Sequence, residues 1–210
     1  MNTLKTILRA ALAALMMSGI GAQASIIIPD GVPTGITQTY TVSGLGSSIS
    51  SLTLTLNLSG GNNGDLYAYL SFGGQIVTLI NRPGVTSGNL LGYTDPGFNV
   101  TLSDGSYANI NTYGGNGGNQ VTGTYNAVGG ATSFGTAFNT LNPNGTWTLF
   151  IADLSGGDLS NSQLVSWNLN ITAVPEPVNV AMGIFGVLLG AIALARHHAA
   201  KRRSVAPKHP

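Results

Sequence analysis

The sequence is 210 residues long with a formal net charge of +1, and only 7% of its residues are charged, so it has room for one domain plus appendages. It has no cysteine, which excludes disulfides, thiolate zinc sites and a cysteine nucleophile. Seven of the eight Lys and Arg lie near the two ends, and between Ser25 and Ala173 one Arg stands against six Asp and no Glu, leaving that region at −5. A surface of that sign argues against nucleic acid as a partner. All three histidines (His197, His198 and His209) sit near the C-terminus. The central region therefore has no imidazole for a Ser-His-Asp triad.

Residues 1–24 read as a secretory signal helix. Lys5 and Arg9 form a positive start, residues 10–17 are apolar, and Ala22-Gln23-Ala24 fits a small-x-small cleavage site. Cleavage after Ala24 would leave Ser25 as the new N-terminus.

From Ile36 onward the apolar residues recur every second position, which only a pleated strand converts into one apolar face. Ile36, Tyr40 and Val42 alternate with threonines; Leu52, Leu54, Leu56 and Leu58 alternate with Thr53, Thr55 and Asn57. Leu66, Ala68, Leu70 and Phe72 alternate with Tyr67, Tyr69 and Ser71, and Gly73-Gly74 then turns the chain into residues 75–80, a predicted hairpin. Further strands are expected at Phe98 to Leu102, at 146–152 and at 164–171, the last with Val165, Trp167, Leu169 and Ile171 on one face. Clusters of Gly, Asn, Ser and Asp separate these runs, and no helical periodicity is visible between Ser25 and Ala173. The expectation is an all-β, antiparallel β-sandwich over residues 25–173. The stretch 111–121 is mostly Gly and Asn and reads as a mobile connector or a binding loop.

The last segment, 174–210, changes character. Pro175-Glu176-Pro177 stops any incoming strand. Residues 178–195 carry no charge and are rich in Ile, Leu, Val, Ala and Gly; Arg196, Lys201, Arg202 and Arg203 follow. Eighteen uncharged residues, all but Asn179 apolar, are at the short end of a bilayer crossing, and a basic end stays on the cytoplasmic side. A transmembrane helix over 178–195 with a basic tail over 196–210 is expected. The order of motif, helix and basic end resembles the PEP-CTERM sorting signal of Gram-negative bacteria. That resemblance implies an exosortase, a membrane-embedded cysteine peptidase, as a processing partner, with transient tethering in the inner membrane and later release to the cell surface or extracellular matrix. The alternative is an ordinary C-terminal anchor.

A second resemblance covers roughly Ile36 to Thr172. Asn144-Gly145-Thr146-Trp147-Thr148-Leu149, then Asp153, Gly157-Asp158, and Leu164-Val165-Ser166-Trp167-Asn168-Leu169 look like the end of the P domain (P/Homo B) of subtilisin-like proprotein convertases. Gly64-Asp65-Leu66, Gly74, Thr78-Leu79, Ser103-Asp104, Gly123-Thr124-Tyr125 and Phe134 follow in family order. The resemblance implies a jelly-roll β-sandwich and, since no catalytic domain accompanies it, a non-catalytic role. Read on their own, Trp147 and Trp167 are inner-face rings that fill a core, and Asn144-Gly145 is a turn.

Three chemistries remain for the central region. Paired aspartates could serve a glycosidase. Calcium wants six to eight oxygens: Asp153 and Asp158 flank a Gly-rich turn, Asp65 and Asp104 border strands, and the P-domain resemblance implies calcium near such turns. The same aspartates also read as turn-formers bonding their own backbone. Carbohydrate, including an exopolysaccharide, could stack on Tyr67, Tyr69, Tyr93, Tyr107 or Tyr113. The combined expectation is a non-catalytic exported surface or matrix protein. The alternatives are a calcium-assisted carbohydrate- or protein-binding module and an accessory domain of a proteolytic system.

Overall fold

The computed structural model describes residues 24–157, 161–174 and 177–204, with side chains described except at 177–180 and 198–204. It divides into two units, one ending at Val174 and one beginning at Pro175.

The first unit is a sandwich of two sheets. Its strands are β1 (Ile26–Ile27), β2 (Ile36–Val42), β3 (Ser48–Ser59), β4 (Leu66–Phe72), β5 (Gln75–Asn81), β6 (Gly97–Ser103), β7 (Val121–Tyr125), β8 (Gly145–Asp153) and β9 (Gln163–Val174). One sheet has the order β1-β9-β3-β6-β7, the other β2-β8-β4-β5. Most connections pass from one sheet to the other, as a jelly-roll-like path requires. The exceptions are the β4–β5 hairpin and the β6–β7 connection. In the hairpin, Phe72 pairs with Gln75, and Gly73 and Gly74 both have positive φ (57° and 79°). Two such residues in succession match the twist of the flanking strands.

Alternation places the core where the sequence puts it. Leu54, Leu56 and Leu58 of β3, Leu66, Ala68 and Leu70 of β4, and Trp147, Leu149 and Ile151 of β8 are at most 1% exposed. Each fully buried Leu or Ile stabilises the fold by about 1.5–3 kcal/mol. Trp147 is the centre of this layer. Its ring stacks on Phe72 at 4.0 Å, meets Phe138 edge-on at 5.0 Å, and its indole N–H donates to the Pro143 carbonyl at 3.1 Å.

Four expectations need correction. The sheets are not wholly antiparallel, because β6 and β7 run parallel. A six-residue α-helix, Ser133–Phe138, lies inside the domain; it spans less than two turns, too few for a periodic signal, yet it buries Phe134 and Phe138 four residues apart. A β-bulge between the Leu164 and Ser166 pairings shifts the register of β9 against β3. The bulge takes in Val165, so Leu164 instead joins the face of Leu169 and is 1% exposed. Trp167 lies on that inner face but is only partly buried, edge-on to Tyr40 at 6.2 Å. Finally, the 111–121 stretch is tied down by hydrogen bonds described below.

The second unit is one helix, Pro177–Ser204, of 28 residues. Met182, Ile184, Phe185, Val187, Leu188, Leu189, Ile192 and Leu194 are 50–68% exposed and, at 100° per residue, they cover about two-thirds of its circumference, with Gly183, Gly186, Gly190 and Ala193 on the rest. Among the described residues no helix is long and apolar enough to cross a membrane. The described side chains run from 181 to 197, short of the roughly 20 residues a crossing needs. The expectation of a helix at 178–195 is therefore met, while a transmembrane role is not supported by the described residues. Residues 1–23, Pro175, Glu176 and 205–210 lie outside the described residues, as do the signal helix and most of the sorting motif. Ala24 and Ser25 are exposed ahead of β1, and Arg196 is exposed on the helix; Lys201, Arg202 and Arg203 are helical.

Candidate functional site

The buried charge of the sandwich gathers at one end. Asp65 closes the 3-10 turn Asn63–Asp65 just before β4, and Asp153 ends β8. Since Leu66 pairs with Asp153, and the Leu154 N–H donates to the Asp65 carbonyl at 2.8 Å, the two residues sit at neighbouring strand ends. Both are buried, at 5% and 0% exposure. An ionised carboxylate in that position needs a counter-charge or donors. Arg82 supplies the charge, with its Nη2 3.8 Å from Asp65 Oδ1. The guanidinium is held by donating to the carbonyls of Gly64 (3.1 Å) and Leu90 (3.3 Å). Arg82 has φ of 48°, a left-handed conformation unusual for a side chain this size. Asp153 accepts from the Ser155 N–H at 3.3 Å and from the Ser162 hydroxyl at 3.1 Å.

Next to this pair lies a group that sequence reasoning missed. Asp95, 3% exposed, accepts from Tyr113 Oη, Asn116 N and Gly118 N, each at 2.8 Å. Asn63 links it to the strands: its side chain accepts from Gly97 N at 2.8 Å, donates to Gly97 O at 3.1 Å and donates to Tyr113 Oη at 3.1 Å. Burial pushes the Tyr113 phenol well above its usual range; the hydrogen bond from Asn63 opposes that rise, and the bond to Asp95 with its negative charge adds to it. Asp95 thereby pins the Gly-rich 111–120 loop to the sandwich. The sequence signal for it was Thr94-Asp95-Pro96-Gly97, which reads only as a turn. Asp30 was missed as well; it accepts from Gly157 N at 3.0 Å across 127 residues.

Of the four aspartates considered for calcium, the structure brings together Asp65 and Asp153. Asp158 lies outside the described residues. Asp104 follows β6 at its other end from Gly97, roughly 20 Å away along a strand of this length. There its carboxylate accepts from Phe134 N at 3.0 Å and Gly135 N at 2.6 Å. Asp104 is the anionic cap of the short helix, a role donors at a helix start dictate. Among the described residues no three His, Cys, Asp or Glu gather closely enough to hold a metal ion. Calcium draws its six to eight oxygens from carbonyls and water as well as carboxylates, and of the four candidates only Asp65 and Asp153 end neighbouring strands among the described residues.

The tyrosines divide. Tyr67 and Tyr69 stand on the outer face of β4, half-buried, with Phe150 of β8. Tyr69 and Phe150 stack at 4.9 Å and 17°, and Tyr67 meets both edge-on. Tyr93 and Tyr113 pack together at 4.5 Å inside the loop clasp. Tyr107 is 47% exposed.

Fold and site together define an all-β sandwich whose loop-bearing end is fastened by buried, bonded carboxylates. No protein-family profile matches the chain, and no curated protein matches it. Among solved structures, the complex of the Aeromonas sobria serine protease (ASP) with the chaperone ORF2 is similar at 14% identity and a TM-score of 0.42, over 82% of this chain and 30% of that chain. The Aeromonas sobria serine protease is similar at 14% identity and a TM-score of 0.40, over 78% of this chain and 27% of that one. This chain spans less than a third of the length of either structure.

Proposed function

We propose that the chain is a non-catalytic exported protein, tethered in the inner membrane of a Gram-negative bacterium by its C-terminal helix. An exosortase-type peptidase then processes it at Pro175-Glu176-Pro177, and the sandwich works at the cell surface or in the extracellular matrix. The observation that carries this reading is the C-terminal helix. It is ringed by exposed apolar residues, large on most of its surface and Gly or Ala on the rest, and belongs to a unit separate from the sandwich. A helix apolar all round belongs in a protein core or in lipid, and the basic residues that follow it favour a cytoplasmic end. With no His and no Cys in residues 25–173, a cysteine nucleophile and imidazole chemistry have no place in this reading of the sandwich. Residues 178–195 are the membrane span in this reading, and residues 1–24 are the signal peptide.

Intact-mass measurement of the exported protein, from cells with and without the sorting peptidase, tests the proposal. The expected mature species begins at Ser25 and ends near Pro175, and only when the peptidase is present. Recovery of the uncut 210-residue chain from the cytosol would end the reading. A second reading, an accessory domain beside a separate protease, is favoured by the run from Asn144 to Leu169, whose Trp147 fills the core as a P-domain-type tryptophan should. Copurification of a secreted protease with the sandwich would support it.

A further inference from the structure

The five-stranded sheet is open along one side. β1 pairs only with Leu164 and Gln163 of β9. Among the described residues, β9 from Ser166 to Val174 has β3 on one side and no strand on the other. That edge carries no charge and no proline; of the two register shifts against β3, one lies before it at Val165 and the other is taken up on β3 at Ser50, opposite Thr172 and Ala173. The usual devices that keep an edge strand from pairing are absent. Beneath it the sheets part in a cleft lined by Tyr40, Val42, Leu45, Leu169, Asn170 and Ile171. β2, the edge of the other sheet, forms the far wall. One more strand on β9 would send alternate side chains into that cleft.

We infer that the occupant is β9 of a second copy, paired antiparallel about a two-fold axis at Asn170. The register follows from the strand itself. The carbonyls of Asn168 and Thr172 accept from the side-chain hydroxyls of Thr55 and Ser50 on β3 and so point toward β3, as do the backbone groups of the even-numbered residues. The groups of Trp167, Leu169, Ile171 and Ala173 then face the open side. With the axis at Asn170, Leu169 lies opposite Ile171 of the second copy, Trp167 opposite Ala173, and Asn168 opposite Thr172. Apolar residues meet over the cleft and amides meet hydroxyls or amides on the outer face, which are the favourable cross-strand combinations. Since β9 has no ionic group, self-pairing sets no like charges against each other. The pairing is isologous and closes at two copies.

The chain has no cysteine, so one introduced thiol is a clean probe. Two Asn170 residues across the axis form a non-hydrogen-bonded pair with Cα atoms about 4.5 Å apart, within disulfide reach. Full-length Asn170→Cys, mildly oxidised and run without reductant, is expected as a covalent dimer of twice the chain mass. Asn99→Cys, exposed on the outer face of β6, is expected to stay monomeric. Asn170→Lys sets two ammonium groups together and should weaken dimerisation about tenfold or more by light scattering, with thermal unfolding unchanged at dilutions where the unmodified chain is monomeric, because Asn170 is exposed. The inference is overturned if the unmodified chain is monomeric at high micromolar concentration. It is equally overturned if Asn170→Cys crosslinks no better than Asn99→Cys or only to a different protein, or if Asn170→Lys dimerises as before.

Discussion

The sandwich and the C-terminal helix use the same apolar residues to opposite ends. In the sandwich, leucines at every second position disappear: Leu54, Leu66 and Leu70 have no exposed surface. In the helix, Leu188, Leu189 and Leu194 are 52–66% exposed, and apolar residues occupy every side. The strand repeat divides each β-strand into an inner and an outer face, so one sheet can shelter against another. A helix with no polar stripe has no such division. Stability in the first unit is therefore internal, while the second must find its apolar surroundings elsewhere.

The largest expected effect breaks the sandwich side of this contrast. Trp147→Ala removes a fully buried ring from between Phe72 and Phe138, and should cost about 3–5 kcal/mol in urea unfolding. Asp95→Ala strips three donors of their acceptor and should cost about 2 kcal/mol; the specific sign is faster limited proteolysis within 114–119. Asp104→Ala, which uncaps the helix Ser133–Phe138, should cost about 1–2 kcal/mol. Tyr113 adds a pH dependence. Its phenol is raised above 10.0 in the fold, so the folded state holds that proton more tightly than the unfolded chain. Its contribution is complete below about pH 10 and declines as pH rises above that value. Tyr113→Phe should flatten the alkaline limb of a stability-versus-pH curve. The smallest effect falls on the helix: Phe185→Ser should shift sandwich unfolding by less than about 0.5 kcal/mol while reducing partition into detergent micelles. Sandwich destabilisation by Phe185→Ser comparable with that of Asp104→Ala would erase the contrast.

Strands β2, β3 and β4 were legible because each carries several alternations and ends at a recognisable turn, and β5 because a Gly-Gly turn leads into it. β7 was not, since of Val121–Tyr125 only Val121 is fully buried, leaving no repeat to see. β1 is two residues long, below any periodic signal. The bulge at Val165 was hidden because an inserted residue reads locally as continued alternation. The candidate site was legible only in its parts. Asp65 and Asp153 stood out as strand-bordering acids, but their adjacency depends on the β4–β8 register. Asp104 as a cap and Asp95 as a clasp act on groups 30 residues away and 18–23 residues away, distances at which sequence carries no local trace.

The parallel run of β6 and β7 has a practical outcome. A hairpin could have joined antiparallel neighbours in two residues, but here the chain must travel the whole length of the sheet before starting β7. Residues 104–120 are that return road. Ile110 and Tyr113 anchor it ahead of the exposed Gly-Asn tip at 114–119, and Asp95 holds the tip through Asn116 N and Gly118 N. A guest peptide spliced at Gly114, between Tyr113 and those two amides, would ride on the outside of a finished β-scaffold, whereas one spliced ahead of Ile110 would pull out the anchors and leave β7 without its partner.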